Sequence, residues 1–409
     1  MQLTQASVII GLDWADRTHV CCLGPREGTP PEIVAVDAAP ERFGPWLEKV
    51  EQRYPTGEIV VAVERADGAA VAMMRARARW VVVAVNPVVL HRFRQAFAPS
   101  GAKGDPGDAA LLRDIVRTHP EKFAALPAVE PRLEQLAALV RQRRHWVDTR
   151  TGLVEQLGAL LKRYYPQALK LAGAELSSPL ALAFLRAWPD LPAAQQAPWA
   201  QVERFFRDHH SGRAAVLVRR RELLAQARAV SVAESYVAPC RLQLLAIRRQ
   251  IETLNASVTE CDQAIASLYA EAPGRAVLDS LPGVGAVLAP RLWVACTQAG
   301  ATPTGMDLAL RSGIAPVQIQ SGLSKIVAFR WARSRFLHQT WVEFATHSAA
   351  RGGWAGEYCA ARKRKGHGKA AIHRALAFKW TRIVARLWRD RVPYDETYYL
   401  QHCAARLAA

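Results

Sequence analysis

Three apolar runs of strand length lie in the first 85 residues, and the first two lead into acidic residues, Asp13 and Glu64. In chain order the runs are Val8–Ile10, Glu58–Val63 and Trp80–Val85. Residues 69–79, between the second and third runs, have the apolar spacing of a helix, and another helix is expected to begin near Asp105. Alternating buried strands and helices predict a layered α/β domain.

The middle of the chain has the spacing of long helices. Apolar residues recur three and four apart from Leu133 to Leu161, and more regularly from Leu244 to Leu268, where Cys261 takes a core position. This heptad spacing predicts a coiled coil or a long antiparallel helical hairpin. The segment 177–232 is richer in Pro, Trp and Arg and is expected to be an inserted helical subdomain.

Positive charge is concentrated in the last third of the chain. The formal net charge is +18, and residues 273–409 contain 20 Lys and Arg against 7 Asp and Glu, a net +13. Such a surplus indicates a polyanionic partner such as nucleic acid, although a merely soluble surface is the alternative.

The seven cysteines form no CxxC pair and no His-flanked set, so neither a zinc site nor a disulfide framework is expected. The N-terminus resembles no signal peptide, and no apolar stretch is long enough to span a membrane. We therefore expect a cytoplasmic protein without a membrane partner, associated with the nucleoid when active.

Four carboxylates are candidate metal ligands. Asp13 and Glu64 end buried strands, where a charge is costly unless it is used or paired. Asp105, a candidate N-cap, and Asp108 are three residues apart in one helical turn. Oxygen-only ligands suit Mg²⁺ or Mn²⁺, and two such ions assist phosphoryl transfer. Ordinary turns and helix caps are the alternative, and Asp16 and Asp67 are lower-ranked rivals because they fall in turns or helix starts.

Several ordered motifs resemble those of the insertion-sequence-110 family, the DEDD transposases, from about residue 8 to residue 400. In chain order they are VIIGLDWADRTHVCCL, VAVERADG, VNPVVLHRFRQAFAPSGAKGDPGDA, LPGVG, GIAPVQIQSG, FLHQTWVEFATHS and RALAFKWTRIVARLWRDRVPYDETYYL. The middle helices match in character only. The chain departs from the family pattern at Gly104, Pro106 and Gly107, where charged residues are common.

The resemblance implies an RNase H/RuvC-like domain at residues 1–128, a helical coiled-coil region at 129–271, and a mainly helical, basic transposase domain at 272–409. It also implies that Asp13, Glu64, Asp105 and Asp108 bind metal, and that Ser321 is a nucleophile that attacks a DNA phosphate. Ser312 and Ser324 are neighbouring alternatives outside the matching Ser-Gly position.

Further residues are expected to contact nucleic acid. The turn containing Gly283 and Gly285 resembles a helix-hairpin-helix, whose backbone N–H groups can hold a phosphate, although a plain interhelix turn is equally consistent with it. The remaining candidates are basic side chains, namely Lys103, Lys325, Arg330, Arg333, Arg335, Lys363, Lys365 and Lys369.

These expectations combine in a transposase that cleaves and exchanges double-stranded DNA to mobilise an insertion element. The resemblance adds a guide RNA encoded by the element and a homo-oligomer, a dimer or tetramer, with a composite site formed between protomers. A RuvC-like nuclease for branched DNA would need the four acids but not Ser321. A domesticated, non-catalytic DNA-binding protein is a third hypothesis, for which the GDPGDA segment is the one indication.

Overall fold

The computed structural model describes residues 5–97, 104–126, 130–300, 302–321, 324–331 and 333–401. Its contacts divide the chain into two compact units, Met1–Pro131 and Arg132–Ala409. The three-part division expected from the sequence remains a prediction. Every helix in the described ranges is too short or too polar to cross a lipid bilayer.

The first unit contains a five-stranded sheet in the order β3-β2-β1-β4-β5, with β2 antiparallel to the other strands. This mixed sheet is consistent with an RNase H/RuvC-like fold. Its strands are β1 (Ala6–Asp13), β2 (Thr18–Gly24), β3 (Glu32–Asp37), β4 (Glu58–Val63) and β5 (Trp80–Ala84). Its helices are α1 (Pro40–Arg53), α2 (Ala69–Arg75), α3 (Pro87–Phe97) and α4 (Asp105–Thr118), followed by a short 3-10 turn, Pro120–Lys122.

Helices cover both faces of this sheet, which explains why its central strands are apolar throughout. Alternate residues of β1 point to opposite faces: Val8 and Ile10 pack with α1 and α2, whereas Ile9 packs with α3 and α4. The predicted strands are confirmed. The predicted helix 69–79 ends earlier, at Arg75, because the Arg79 carbonyl already accepts a hydrogen bond from Ile59 N–H in the sheet.

The second unit is mainly helical. Its helices are α5 (Pro131–Tyr164), α6 (Ala168–Leu171), α7 (Pro179–Ala187), α8 (Leu191–Gln196), α9 (Trp199–Asp208), α10 (Ala214–Gln226), α11 (Glu234–Ala270), α12 (Arg275–Asp279), α13 (Leu288–Gln298), α14 (Gly305–Arg311), α15 (Arg335–Ala350), α16 (Gly353–Arg364) and α17 (Lys369–Asp390). An antiparallel hairpin of β6 (Val317–Ser321) and β7 (Ser324–Ala328) lies between α14 and α15.

The long helices α5 and α11 run antiparallel. Arg143 of α5 pairs with Asp262 of α11. Seven residues later in α5, Arg150 bonds to Asn255, which lies seven residues earlier in α11. The two helices therefore run in opposite directions. The helical hairpin predicted from the heptads is therefore present, and Cys261 is buried in it as expected. Coiled-coil packing of the two helices remains a prediction.

Two cores stabilise this unit. The first joins the end of α5 and the first half of α11 to α6–α10, which include the predicted inserted subdomain. The second joins the start of α5 and the end of α11 to the C-terminal helices, and Trp341 and Trp380 are fully buried in it.

Candidate active site

Asp13 and Glu64 lie side by side at the carboxyl ends of two internal, parallel strands of the sheet. Asp13 is the last residue of β1, and Glu64 directly follows β4. The two strands are parallel neighbours in a register that pairs Leu12 with Val63, so the two carboxylate-bearing residues occupy adjacent positions. Both are half-buried. Strand register alone therefore brings together two residues that are 51 apart in the sequence.

Helix α4 packs directly on β1 at Gly11. A Cβ atom at Gly11 would lie 2.0 Å from the Ala109 carbonyl oxygen and 2.5 Å from the Arg113 backbone nitrogen. Only a glycine allows this approach, which fixes the turn of α4 directly after Asp108 against the strand, two residues before Asp13. Nothing in the sequence marks Gly11 for this role, since a glycine inside a strand is no specific signal.

The first turn of α4 carries Asp105 and Asp108. Asp105 is exposed and is the first helical residue, with Gly104 at the N-cap, so the expected capping role of Asp105 is wrong. Asp108 is 6% exposed, and its Oδ1 accepts a hydrogen bond from Arg94 Nε at 2.7 Å and forms an ion pair with Arg94 Nη2, also at 2.7 Å. Arg94, on α3, was not foreseen as part of this site because nothing in the sequence links it to Asp108.

The donor set suits a hard divalent cation in its chemistry, since all four side chains offer carboxylate oxygens. Yet no three Asp, Glu, His or Cys side chains of the described residues form a group that would hold a metal ion. The backbone brings Asp13, Glu64 and α4 to one edge of the sheet, while Asp108 is held by Arg94. Lys103, predicted nearby, lies outside the described residues.

Ser321 ends β6 and pairs with Ser324 at the start of β7, so its backbone lies at the tip of the hairpin. The side chains of Ser321 and Lys325 lie outside the part that the structure describes. The alternative Ser312 is fully buried, and its hydroxyl donates to the Leu308 carbonyl inside α14, which gives it a structural role. Ser324 is exposed.

The predicted phosphate-binding turn connects α12 to α13. Gly283 has φ +76°, and a Cβ there would lie 2.6 Å from the backbone carbon of His347 in α15. Its close approach is therefore to a neighbouring helix. Gly285 has open space within 4 Å and accepts a hydrogen bond from Ala289 N–H at the start of α13. Phosphate binding by this turn remains a prediction.

The predicted basic residues of the second unit differ in exposure. Arg330 and Arg333, beside the hairpin, are half-buried, and Arg335 is exposed. The remaining three are also exposed and lie at the end of α16 or the start of α17: Lys363, Lys365 and Lys369.

Two family models match this chain, one over the carboxylate residues and the other over the β6–β7 hairpin. A DEDD transposase model of IS110 matches residues 10–166, and a model of the transposase IS116/IS110/IS902 family matches residues 275–360. The first match contains all four acids, and the second contains Ser321. The chain belongs to the IS110 family of transposases.

Similar proteins extend the match over the whole transposase. The "Mini-circle putative transposase for IS117" of Streptomyces coelicolor is 27% identical over 409 residues, covering 95% of this chain and 96% of that protein. The "Insertion element IS110 uncharacterized 43.6 kDa protein" of the same species is 24% identical over 300 residues, covering 72% of this chain and 69% of that protein. These matches identify this transposase as an enzyme that acts on DNA.

Proposed function

We propose that this transposase cleaves and rejoins DNA through two groups of residues: a metal-binding carboxylate set, Asp13, Glu64, Asp105 and Asp108, and a serine nucleophile, Ser321. The carboxylate set is supported chiefly by the register of β1 and β4, which puts Asp13 beside Glu64. The packing of α4 on β1 at Gly11 adds to this support. Order along the chain and the second family match support Ser321.

Ser321 acts on a phosphodiester of the element end. Its hydroxyl loses a proton as the oxygen forms a bond to phosphorus, one P–O bond of the DNA backbone breaks, and the leaving oxygen takes up a proton. Attack by a hydroxyl of another strand reverses the exchange, frees Ser321 and leaves a rejoined backbone. A serine hydroxyl is a weak nucleophile at neutral pH and needs activation.

The carboxylates would hold Mg²⁺ or Mn²⁺, which supplies Lewis-acid stabilisation of the charge that develops on phosphate oxygens. Convergent carboxylates repel one another unless a cation lies between them. Arg94 provides such a positive charge for Asp108, so a cation held by the full set would compete with Arg94 for this carboxylate.

The remaining parts of the proposal concern partners. The net +13 of residues 273–409 suits a nucleic-acid partner but does not separate DNA from RNA. The family resemblance supports two further parts of the proposal: a guide RNA encoded by the element, and a homo-oligomer whose protomers together form the active site.

Cleavage of labelled element ends tests the proposal. Asp13→Asn and Ser321→Ala should each abolish strand exchange, whereas Asp16→Asn, which changes the nearby rival acid, should retain it. Persistence of cleavage in Ser321→Ala, with loss in Asp13→Asn, would instead favour a metal-dependent nuclease. Full recombination by purified protein without any RNA would refute the guide-RNA part.

A further inference from the structure

Trp331, in the short segment between β7 and α15, is 83% exposed. In the described ring contacts it meets only the edge of Phe329, with centroids 5.2 Å apart and planes at 83°. Because 83% of Trp331 is exposed, this single edge-on contact leaves most of the indole surface open to solvent. An isolated exposed aromatic needs no explanation on its own, so its surroundings decide what it means.

Those surroundings are strongly positive. The Phe329 ring lies beneath the guanidinium groups of Arg333, 4.0 Å from its centroid, and Arg374, 5.4 Å away. Burial, and then the charges of Arg335 and Arg374, lower the pKa of Arg333. Within the described part of the chain, Arg333, Arg335 and Arg374 form no ion pair with any carboxylate, so their charge is available to a ligand.

The support beneath Trp331 is built from specific contacts. Arg330 Nε donates to the Ala315 carbonyl at 3.4 Å, and Arg333 Nη1 donates to the Arg330 carbonyl at 3.2 Å. The stem of Arg333 crosses Gly313, where an added Cβ would lie 2.4 Å from Arg333 Cβ. Ser334 then caps α15 through Leu337 N–H. The arginines are thus held in place while the indole projects outward.

We propose that the Trp331 cluster, defined as Phe329, Trp331, Arg333 and Arg374, binds an unpaired base of the DNA strand that Ser321 attacks, with Trp331 stacking on the base and the arginines neutralising adjacent phosphates. This combination of an open aromatic face and cationic neighbours is how proteins hold single strands. The position of the bound base relative to the cut rests on the proposed role of Ser321 as nucleophile. The stacking of a base on Trp331 does not depend on that role.

The hairpin sets that position. Ser324, opposite Ser321, and Ala328 are the two ends of β7, four residue steps or about 14 Å apart at the rise of an antiparallel strand. Trp331 follows beyond Ala328, at the end away from Ser321. If the intervening nucleotides stay stacked at the 3.4 Å spacing of duplex DNA, we expect the bound base about four or more nucleotides from the cleaved phosphate.

Fluorescence of 2-aminopurine, placed at successive positions on both sides of the cleavage site of an element end, tests the proposal. Ser321→Ala protein should quench the probe at a position about four or more nucleotides from the cut. Adding Trp331→Ala should remove that quenching and weaken binding of gapped DNA by about fivefold or more, the change that stacking of a single base implies. Trp331→Phe should restore most of both.

The matched control is Val232→Ala, which changes a side chain that is also 83% exposed but lies in the loop between α10 and α11, and it should leave quenching and affinity unchanged. Unaltered quenching in Trp331→Ala would overturn the proposal. So would a variant that binds DNA normally but loses self-association, or one that loses affinity for RNA alone. If Ser321→Ala still cleaved DNA, the nucleophile assignment would fail while the quenching result would still decide the role of Trp331.

Discussion

At the scale of single residues, Gly11 shows how much of the site depends on an absent side chain. The two atoms that a Cβ would strike are backbone atoms of α4, at 2.0 and 2.5 Å, and neither can move without shifting the helix. The position of Asp108 relative to Asp13 is therefore set by packing, which no spacing rule in the sequence reveals.

Gly11→Ala should destabilise the protein by about 2 kcal/mol or more, because overpacking a close contact costs roughly 1–3 kcal/mol. Thermal or urea unfolding measures this. Gly107→Ala is the control, since it lies in the same helix with no neighbour within 4 Å, and it should be neutral or stabilising by up to ~1 kcal/mol. Equal effects of the two changes would contradict the packing argument.

The ion pair of Arg94 with Asp108 is the second residue-scale feature, with side chains 19% and 8% exposed. Arg94→Gln leaves a buried carboxylate without its cation, and we expect a loss of ~3 kcal/mol in metal-free buffer. Excess Mg²⁺ should then restore more stability to Arg94→Gln than it adds to the wild type, where it competes with Arg94.

Differential scanning calorimetry of wild type and Arg94→Gln, each with Mg²⁺ and with chelator, measures the difference in the stability that Mg²⁺ adds. Arg92→Gln, an exposed arginine on the same helix, serves as control and should follow the wild type. An identical Mg²⁺ shift in wild type and Arg94→Gln would argue against Asp108 as a metal ligand.

At the scale of elements, Glu343 on α15 ties together three helices. It bonds to Arg144 of α5 at 3.1 Å and to Arg291 of α13, a residue whose side chain is 4% exposed. Burial is the main cause that lowers the pKa of Arg291, and Glu343 opposes it. The pair therefore links the base of the helical hairpin to the C-terminal helices.

Glu343→Gln should cost ~3 kcal/mol of folding stability, because it leaves the buried Arg291 charge unpaired. Arg291→Met combined with Glu343→Gln should cost less than the sum of the single changes, with a coupling of about 1 kcal/mol or more. Denaturant unfolding of the double-mutant cycle measures this. Strict additivity would show that the pair carries no energetic link.

The elements also show what the sequence could predict. Strands β1, β4 and β5 were predictable because both faces of the sheet are covered and their residues are therefore apolar throughout. The edge strand β3 (Glu32–Asp37) was not identified, since it is mostly exposed and ends in charges. The hairpin of α5 and α11 followed from heptads, whereas Arg94 and Gly11 depend on contacts between distant elements.

At the scale of the whole molecule, charge sets the affinity for nucleic acid. Lys363 and Lys365 are exposed at the end of α16, where they either contact phosphates or only complement the helix dipole. If they contact DNA, replacing both with Gln should reduce the slope of log affinity against log salt by about 2. Fluorescence anisotropy across a salt series measures this, with Lys49→Gln of α1 as control. An unchanged slope would show that the two lysines do not contact DNA phosphates and only complement the helix dipole.

The most direct test of the central claim, a serine nucleophile assisted by a carboxylate-bound metal, is a covalent protein–DNA adduct. The wild-type protein, incubated with nicked or gapped element ends and any required RNA, should form a denaturation-resistant adduct that peptide mass spectrometry locates at Ser321. The adduct should appear with Mg²⁺ and disappear with chelator, in Asp13→Asn and in Ser321→Ala. An adduct that persists in Asp13→Asn or in Ser321→Ala, or cleavage by wild type without any adduct, would contradict the account.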